Sequence, residues 1–222
     1  MKKVWMDTEG VYIGRNKFTT LKEGLNFIDK GKVEIILSGE YITYKVELKA
    51  ADTIFHLKKD IKKNFSKILG NEGYEISAKL IEFDKSREVY KIAVRAVERR
   101  IIDEIREIGN KFEKIKIKKI SLIDKYLKIS RTKKAEVIFD NKNCYGVYKG
   151  NILYSYSVAN KNAVEGKLDS IICTNAIKYF IKAYAYTIEK EVTKLKVIKN
   201  SIDISDFIKS GMEVKEVKNV FR

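Results

Sequence analysis

The sequence predicts an α/β protein of two related halves, with a strand-helix-strand-strand module inserted into the first. Three observations carry this. First, a strand-turn-strand occurs twice, as Val4-Trp5-Met6-Asp7-Thr8-Glu9-Gly10-Val11-Tyr12-Ile13-Gly14 and as Val137-Ile138-Phe139-Asp140-Asn141-Lys142-Asn143-Cys144-Tyr145-Gly146-Val147-Tyr148. Each copy is an apolar strand ending in an aspartate, then a polar turn, then a second strand. Such a repeat predicts two half-domains facing a shared cleft. Second, residues 41–97 have the texture of an independent module. Third, a long aromatic helix follows the second copy.

Taken in order, residues 2–8 and 10–15 form the first hairpin, and a short helix at about 20–29 is closed by Gly31. Val33 to Ser38 is a third strand, buried because its apolar run is continuous. Tyr41 to Leu48 alternates, with Ile42, Tyr44, Val46 and Leu48 on one face. Asp52 caps a helix whose stripe is Ile54, Leu57, Ile61, Phe65 and Ile68, stopped by Gly70. Lys58, Lys59, Lys62, Lys63 and Lys67 occupy its opposite face. Ile76 to Phe83 and Val89 to Val97 are strands joined by a turn at 85–87.

A second amphipathic helix places Val97, Ile101, Ile105 and Ile108 on the core and ends at Gly109. Lys114 to Ile120 is a lysine-alternating strand, and 121–129 a short helix. The repeated hairpin and a strand from Ile152 to Val158 follow. The helix at 167–190 presents Ile171, Ile172, Tyr179, Phe180, Ala183, Tyr184 and Ile188, read as core and not as a stacking platform for bases. Leu195 to Ile198 is a strand; residues 202–222 hold a short helix (Ile204, Phe207, Ile208) and a terminal strand (Met212, Val214, Val217, Val220).

Composition narrows the function classes. The 222 residues are 45% apolar, enough for a sizeable core. No uncharged apolar run reaches the length of about 18 residues that a spanning helix needs. The acid in Met1-Lys2-Lys3-Val4-Trp5-Met6-Asp7 interrupts any signal-peptide pattern. Cys144 and Cys173 read as buried, reduced thiols, although one disulfide is arithmetically allowed. Two cysteines and the single His56 do not supply the usual four-ligand zinc site. The net charge of +16 points to nucleic acid, an anionic membrane or an acidic partner. However, the lysines are spread along the whole chain, proline is absent and arginine is scarce, which fits a lysine-biased proteome.

The element order resembles the actin-like (ribonuclease H-like duplicated) fold. The insertion resembles that of the bacterial actin-like group of FtsA and PilM, and the cytoplasmic domain of the type II secretion protein GspL. The stretches that carry the likeness are Ile42–Leu48, Ile54–Leu69, Ile76–Phe83, Val89–Val97, Ile101–Ile108 and Ala135–Val158. Val97–Gly109 and Lys114–Ile120 fit the helix and strand that lead back to the main body. The resemblance implies a first half at 1–40 and 98–132, an insert at 41–97 and a second half at 133–222. A continuation past Arg222 into a membrane helix would separate a GspL-like chain from a PilM-like one.

An actin-like ATPase needs glycine at both hairpin turns, so that backbone amides approach the phosphates closely. Asp7-Thr8-Glu9-Gly10 keeps one glycine but adds an acid, and Asp140-Asn141-Lys142-Asn143 has none. Lys199-Asn200-Ser201-Ile202 stands where a Gly-Gly adenosine loop is expected. Asp7 and Asp140 read either as a pair holding a magnesium-bound water or, in the blander reading, as solvated turn acids. His56 reads as a packing or surface residue. No P-loop or GxGxxG occurs.

No catalytic, cofactor-binding or metal residue is therefore assigned, and the chain is not expected to be an enzyme. By resemblance it is a scaffold at the cytoplasmic face of the inner membrane in a type IV pilus or type II secretion platform. Its partners would be inner-membrane assembly proteins and the assembly ATPase. The insert and its junction with the main body are the expected docking surface. The lysine face of the 52–69 helix reads as a solvated face or as a contact to anionic lipid. Two alternatives stay open, a nucleic-acid-binding module and a nucleotide-binding actin-like protein.

Overall fold

The structure is a computed structural model that describes residues 1–50, 56–57, 60–61, 73–127, 129, 131–140, 142–158, 170–198, 202 and 204–217. Contacts divide the chain into two compact units. One comprises Met1–Thr43, Glu47–Leu127 and Phe221–Arg222; the other comprises Tyr44–Val46 and Lys128–Val220.

In the first unit, β1 (Lys2–Asp7), β2 (Gly10–Ile13), β3 (Asn16–Phe18), β4 (Gly31–Leu37) and β8 (Ile115–Leu122) form one sheet in the order β3-β2-β1-β4-β8. The β1–β2–β3 meander is antiparallel, whereas β4 joins β1 and β8 in parallel. β3 is three residues long and has no apolar alternation to announce it; it exists because it pairs with β2. Helix α1 (Leu21–Asn26) begins in a capping box: Glu23 N donates to Thr20 Oγ1, and Thr20 N donates to the Glu23 carboxylate. Gly31 does not close this helix but opens β4.

The insert forms its own sheet, in the order β5-β7-β6, from β5 (Ile42–Lys49), β6 (Tyr74–Asp84) and β7 (Val89–Glu98). Leu57 and Ile61, both helical and buried, pack with Ile92, Val94 and Ala96, and with Ile76, Ala78 and Leu80. Much of the predicted 52–69 helix, including its lysine face, lies outside the described residues. The single apolar face expected of β5 is buried only in its first half: Ile42 and Tyr44 are inside, whereas Leu48 is half exposed.

Helix α2 (Arg99–Asn110) turns its core side differently from expectation. Val97 belongs to β7, and the buried positions are Ile102, Ile105 and Gly109. Gly109 lies inside the helix against Ile117 and does not terminate it. A 3₁₀ turn, Ile123–Lys125, takes the place of the predicted 121–129 helix.

The second unit contains β9 (Ala135–Phe139), β10 (Asn143–Tyr148), β11 (Asn151–Ser157), β12 (Val192–Ile198) and β13 (Glu213–Val217), ordered β11-β10-β9-β12-β13. Its pattern repeats that of the first sheet: an antiparallel meander of three strands, then parallel neighbours. Helix α3 (Ser170–Ile188) buries Cys173, Ile177, Phe180, Tyr184 and Ile188, a 3.6-residue stripe. Tyr179 and Ala183, expected in the core, are exposed. Tyr184 stacks on Phe180 and lies so close to β10 that a Cβ at Gly146 would sit 2.6 Å from its ring. A short helix α4 (Ser205–Lys209) buries Phe207 and leaves Ile208 exposed.

Candidate functional site

The two aspartate turns are built by different local means. In the first, Asp7 and Gly10 pair across a two-residue tip, Thr8-Glu9. Glu9 N donates to Asp7 Oδ1 at 2.8 Å, an Asx turn. Thr8 donates twice to Glu40 Oε2, from its amide at 3.0 Å and its hydroxyl at 2.8 Å. Both tip amides therefore already hold carboxylates of the same chain. Tyr41 clamps the arrangement from the side, its hydroxyl donating to Asp7 O at 2.9 Å. Burial, then the Asp7 and Glu40 charges, push its phenol pKa upward. Gly10 is required at this position, but by packing. Its φ is +151°, and a Cβ there would meet Phe18 O at 2.5 Å.

In the second turn, Asp140 is the organiser. Its Oδ1 accepts from Lys142 N at 3.1 Å and Asn143 N at 2.8 Å, and its Oδ2 accepts from Tyr145 Oη at 2.8 Å. The backbone closes the same loop, Asp140 N donating to Asn143 O. The solvated reading of this acid is thus corrected: the residue is half-buried and both its oxygens are engaged by its own turn. Burial raises its carboxyl pKa above 3.8, and the donors from Tyr145, Asn143 and Lys142 offset this only in part.

Sequence reasoning found Asp7 and Asp140 but missed Glu40 and Tyr145, the residues that fill the turns. Glu40 is 32 positions from Thr8, beyond the reach of any local pattern. His56 is exposed on its helix. Neither Cys144 nor Cys173 is in a disulfide; both are buried, and burial raises the Cys144 thiol well above its ordinary value. Of the predicted 199–202 loop only Ile202 is described, and it is buried.

A groove of about 660 Å³ lies in the first unit between the insert and the first sheet. β6 and β7 form one wall, with Glu75, Ser77, Arg95 and Val97. Helix α2 forms the base through Ile102 and Arg106, and β8 forms the far wall through Ile117, Lys118 and Ile120. Among the described residues β6 and β8 each end their sheet, so two strand edges without a described partner strand frame the groove. Arg95 is ion-paired to Asp124, and Arg106 lies 3.3 Å from Asp103. Lys116 and Lys118 are exposed and form no ion pair with a described residue.

A buried carboxylate, Glu34, lies in the first sheet. Glu34 in β4 accepts from the Ser121 hydroxyl and is bonded to Tyr126, which packs edge-on against Trp5 at 5.1 Å. Burial would raise the Glu34 carboxyl, but Ser121, Tyr126, Lys125 and Lys119 together hold it below 4.5. Burial and Glu34 push the Tyr126 phenol to about 12.

Two meander-plus-parallel sheets, with a strand-helix-strand-strand insert in the first half, define the actin-like fold, and comparison with solved structures agrees. The chain is similar to a chain of the PilM–PilN type IV pilus biogenesis complex at a TM-score of 0.61 and 6% identity, covering 98% of this chain and 84% of that one. It is also similar to cyto-EpsL, the cytoplasmic domain of an inner membrane component of the type II secretion system of Vibrio cholerae. There the TM-score is 0.53 and the identity 9%, covering 98% of this chain and 88% of the other. No protein-family model and no curated protein sequence matches. Among the described residues, no helix is long and apolar enough to cross a membrane.

Proposed function

We propose that this chain is a non-catalytic actin-like scaffold of a type IV pilus or type II secretion inner-membrane platform. It sits at the cytoplasmic face, binds the cytoplasmic segment of a membrane-embedded partner, and links that partner to the assembly ATPase. Its working surface is the groove between the insert and the first sheet. The three-part division at 1–40 with 98–132, 41–97 and 133–222 belongs to the same proposal.

The observation that carries the reading is the state of the two turns. An actin-like ATPase would offer tip amides to phosphates; here Thr8 N and Glu9 N hold Glu40 and Asp7. Introducing a polyphosphate would mean displacing both carboxylates and facing Glu9 as well. The groove supports binding as the remaining activity, since it combines an apolar base with open strand edges. The likeness to a chain of the PilM–PilN complex and to an inner membrane secretion component supplies the setting.

The test is capture of inner-membrane assembly components by the tagged chain in cells that make a pilus or secretion apparatus, followed by titration with their cytoplasmic tail peptides. Saturable binding of one tail is expected. Failure to bind any such component would overturn the reading. Isothermal calorimetry with ATP and magnesium decides the nucleotide-binding alternative, and heat from saturable micromolar binding would establish it.

A further inference from the structure

The first sheet has two unlike faces. Val4, Val11, Val33 and Ile35 are buried on the side where α1 and α2 pack. On the other side, Lys3, Glu34 and Lys119 are neighbours across β1, β4 and β8, while Trp5, Tyr12 and Lys17 are neighbours across β1, β2 and β3. Tyr126, just past the 3₁₀ turn, lies on this second face. It packs edge-on against Trp5, has Lys3 Nζ 4.6 Å from its ring centre, and bonds the buried Glu34 beneath it. Lys17 Nζ stands 5.7 Å from the centre of the Tyr12 ring. Lysines dispersed along the sequence are thus gathered in space with three aromatic rings. The band runs from Lys119 and Lys125, past Tyr126, Lys3, Trp5 and Tyr12, to Lys17. It spans four strand spacings, about 19 Å. The lysines are exposed and the three rings partly so. Glu34 is buried and held by Ser121, so it does not face outward. Glu9, at the far end, lies 3.7 Å from Lys17, and both are about half exposed, a weak pair that a phosphate can replace. Hydrogen-bond contact with Lys125, then its charge, lowers the pKa of Lys119; two cations crowd one spot, and an anion between them relieves the repulsion.

We propose that this band binds single-stranded nucleic acid, with bases stacked on Trp5 and Tyr12 and phosphates on Lys3, Lys17, Lys119 and Lys125. Tyr126 holds the Trp5 ring from its edge. Binding exchanges the Lys17 cation over Tyr12 for a base, and the lysine moves to a phosphate. The interleaving of rings and cations selects this ligand. An acidic peptide or an anionic bilayer would use the lysines and leave the rings without a role, whereas a single strand engages both. Stacks and phosphate contacts carry little sequence information, so the surface tolerates any base. This activity goes beyond the scaffold reading and does not depend on it.

Trp5 is the sole tryptophan of the chain, so its emission reports on the band directly. The test titrates the 222-residue chain with a short oligothymidylate and follows Trp5 fluorescence. Saturable quenching is expected. Affinity should fall with salt at a log–log slope of about −3, because each phosphate contact on a single strand contributes about −0.7. Lys3→Gln/Lys125→Gln removes two contacts; it should weaken binding about tenfold and bring the slope to about −1.4. The same change at Lys182 and Lys209, exposed lysines of the second unit, should leave both quantities at the parental values. Tyr12→Leu keeps apolar bulk but removes a stacking plane, and should cost about tenfold with the slope unchanged. Far-UV CD checks the fold of each variant, and the exposed lysine pair keeps the test decisive if Tyr12→Leu does not fold. Binding that leaves Trp5 emission unchanged, an equal loss on changing Lys182 and Lys209, or equal affinity for an abasic strand of the same length each overturns the proposal. So does quenching by vesicles containing phosphatidylglycerol in place of the oligonucleotide, which would make the band a lipid contact.

Discussion

Replacing Asp140 by alanine separates a turn organiser from an acid kept for chemistry. The carboxylate accepts from two backbone amides, Lys142 N and Asn143 N, and from the hydroxyl of Tyr145, a residue with no exposed surface. Losing each amide bond costs about 1 kcal/mol, and depriving a buried hydroxyl of its acceptor costs about 1–3 kcal/mol. Against this, a carboxylate raised in pKa by burial is itself held at some cost, which puts the net at the low end of that sum. The net expected loss is about 3 kcal/mol. For a chain of this size that is a fall of roughly 6–12 °C in the midpoint. Urea unfolding followed by far-UV CD measures it, and Tyr145→Phe in the Asp140→Ala background should recover about 1 kcal/mol, since the orphaned hydroxyl is gone. Asp7→Ala removes one exposed Asx contact and should cost only about 1 kcal/mol. A loss under about 1 kcal/mol for Asp140→Ala would refute the reasoning, because an acid available for chemistry can be removed without loosening its turn.

Three further outcomes are expected. Tyr184→Phe should stabilise the chain by about 1 kcal/mol in the same assay, because its hydroxyl is buried without a hydrogen-bond partner among the described residues while the ring itself is well packed. Gly146→Ala should destabilise by about 2–3 kcal/mol, since the added methyl meets a rigid, buried ring at 2.6 Å; a neutral result would mean α3 moves away freely. For pH, Asp140 has a native pKa above 3.8, so the folded state binds the proton more readily than the unfolded one. Its contribution to stability therefore falls as pH rises through the window between 3.8 and the native value. The wild type should gain stability relative to Asp140→Asn as pH drops through that window, read as the difference between their urea midpoints, whereas a wild type that loses ground to the variant on acidification would contradict the assignment.

Much of the fold was legible because its elements announce themselves by period. The repeated strand-turn-strand gave away the two related sheets, and the alternation of Ile76, Ala78 and Leu80 placed β6 on its core cluster. What failed to show was set by pairing or rotation. β3 has no pattern of its own and is held by β2. Choosing Ile101 over Ile102 as a core residue of α2 was an error of one position, about 100° of rotation, which depends on where the helix starts. The same ambiguity put Tyr179 and Ala183 inside α3, whose buried stripe runs instead through Cys173, Ile177, Phe180, Tyr184 and Ile188.

The candidate site divides in the same way. Absent glycines in the second turn and the acid in the first could be read from the chain directly, because close approach of a backbone to phosphate depends on the residue type at one position. That Glu40 fills the first turn, that Gly10 serves the contact with Phe18, and that Tyr145 holds Asp140 could not. Nor could the placement of two sheet-end strands, β6 and β8, across one groove. Local composition determined which residue types stand at the two turns. Only the assembled sheets decided what occupies those loops and where an open surface remains, because such contacts join residues that no sequence period connects.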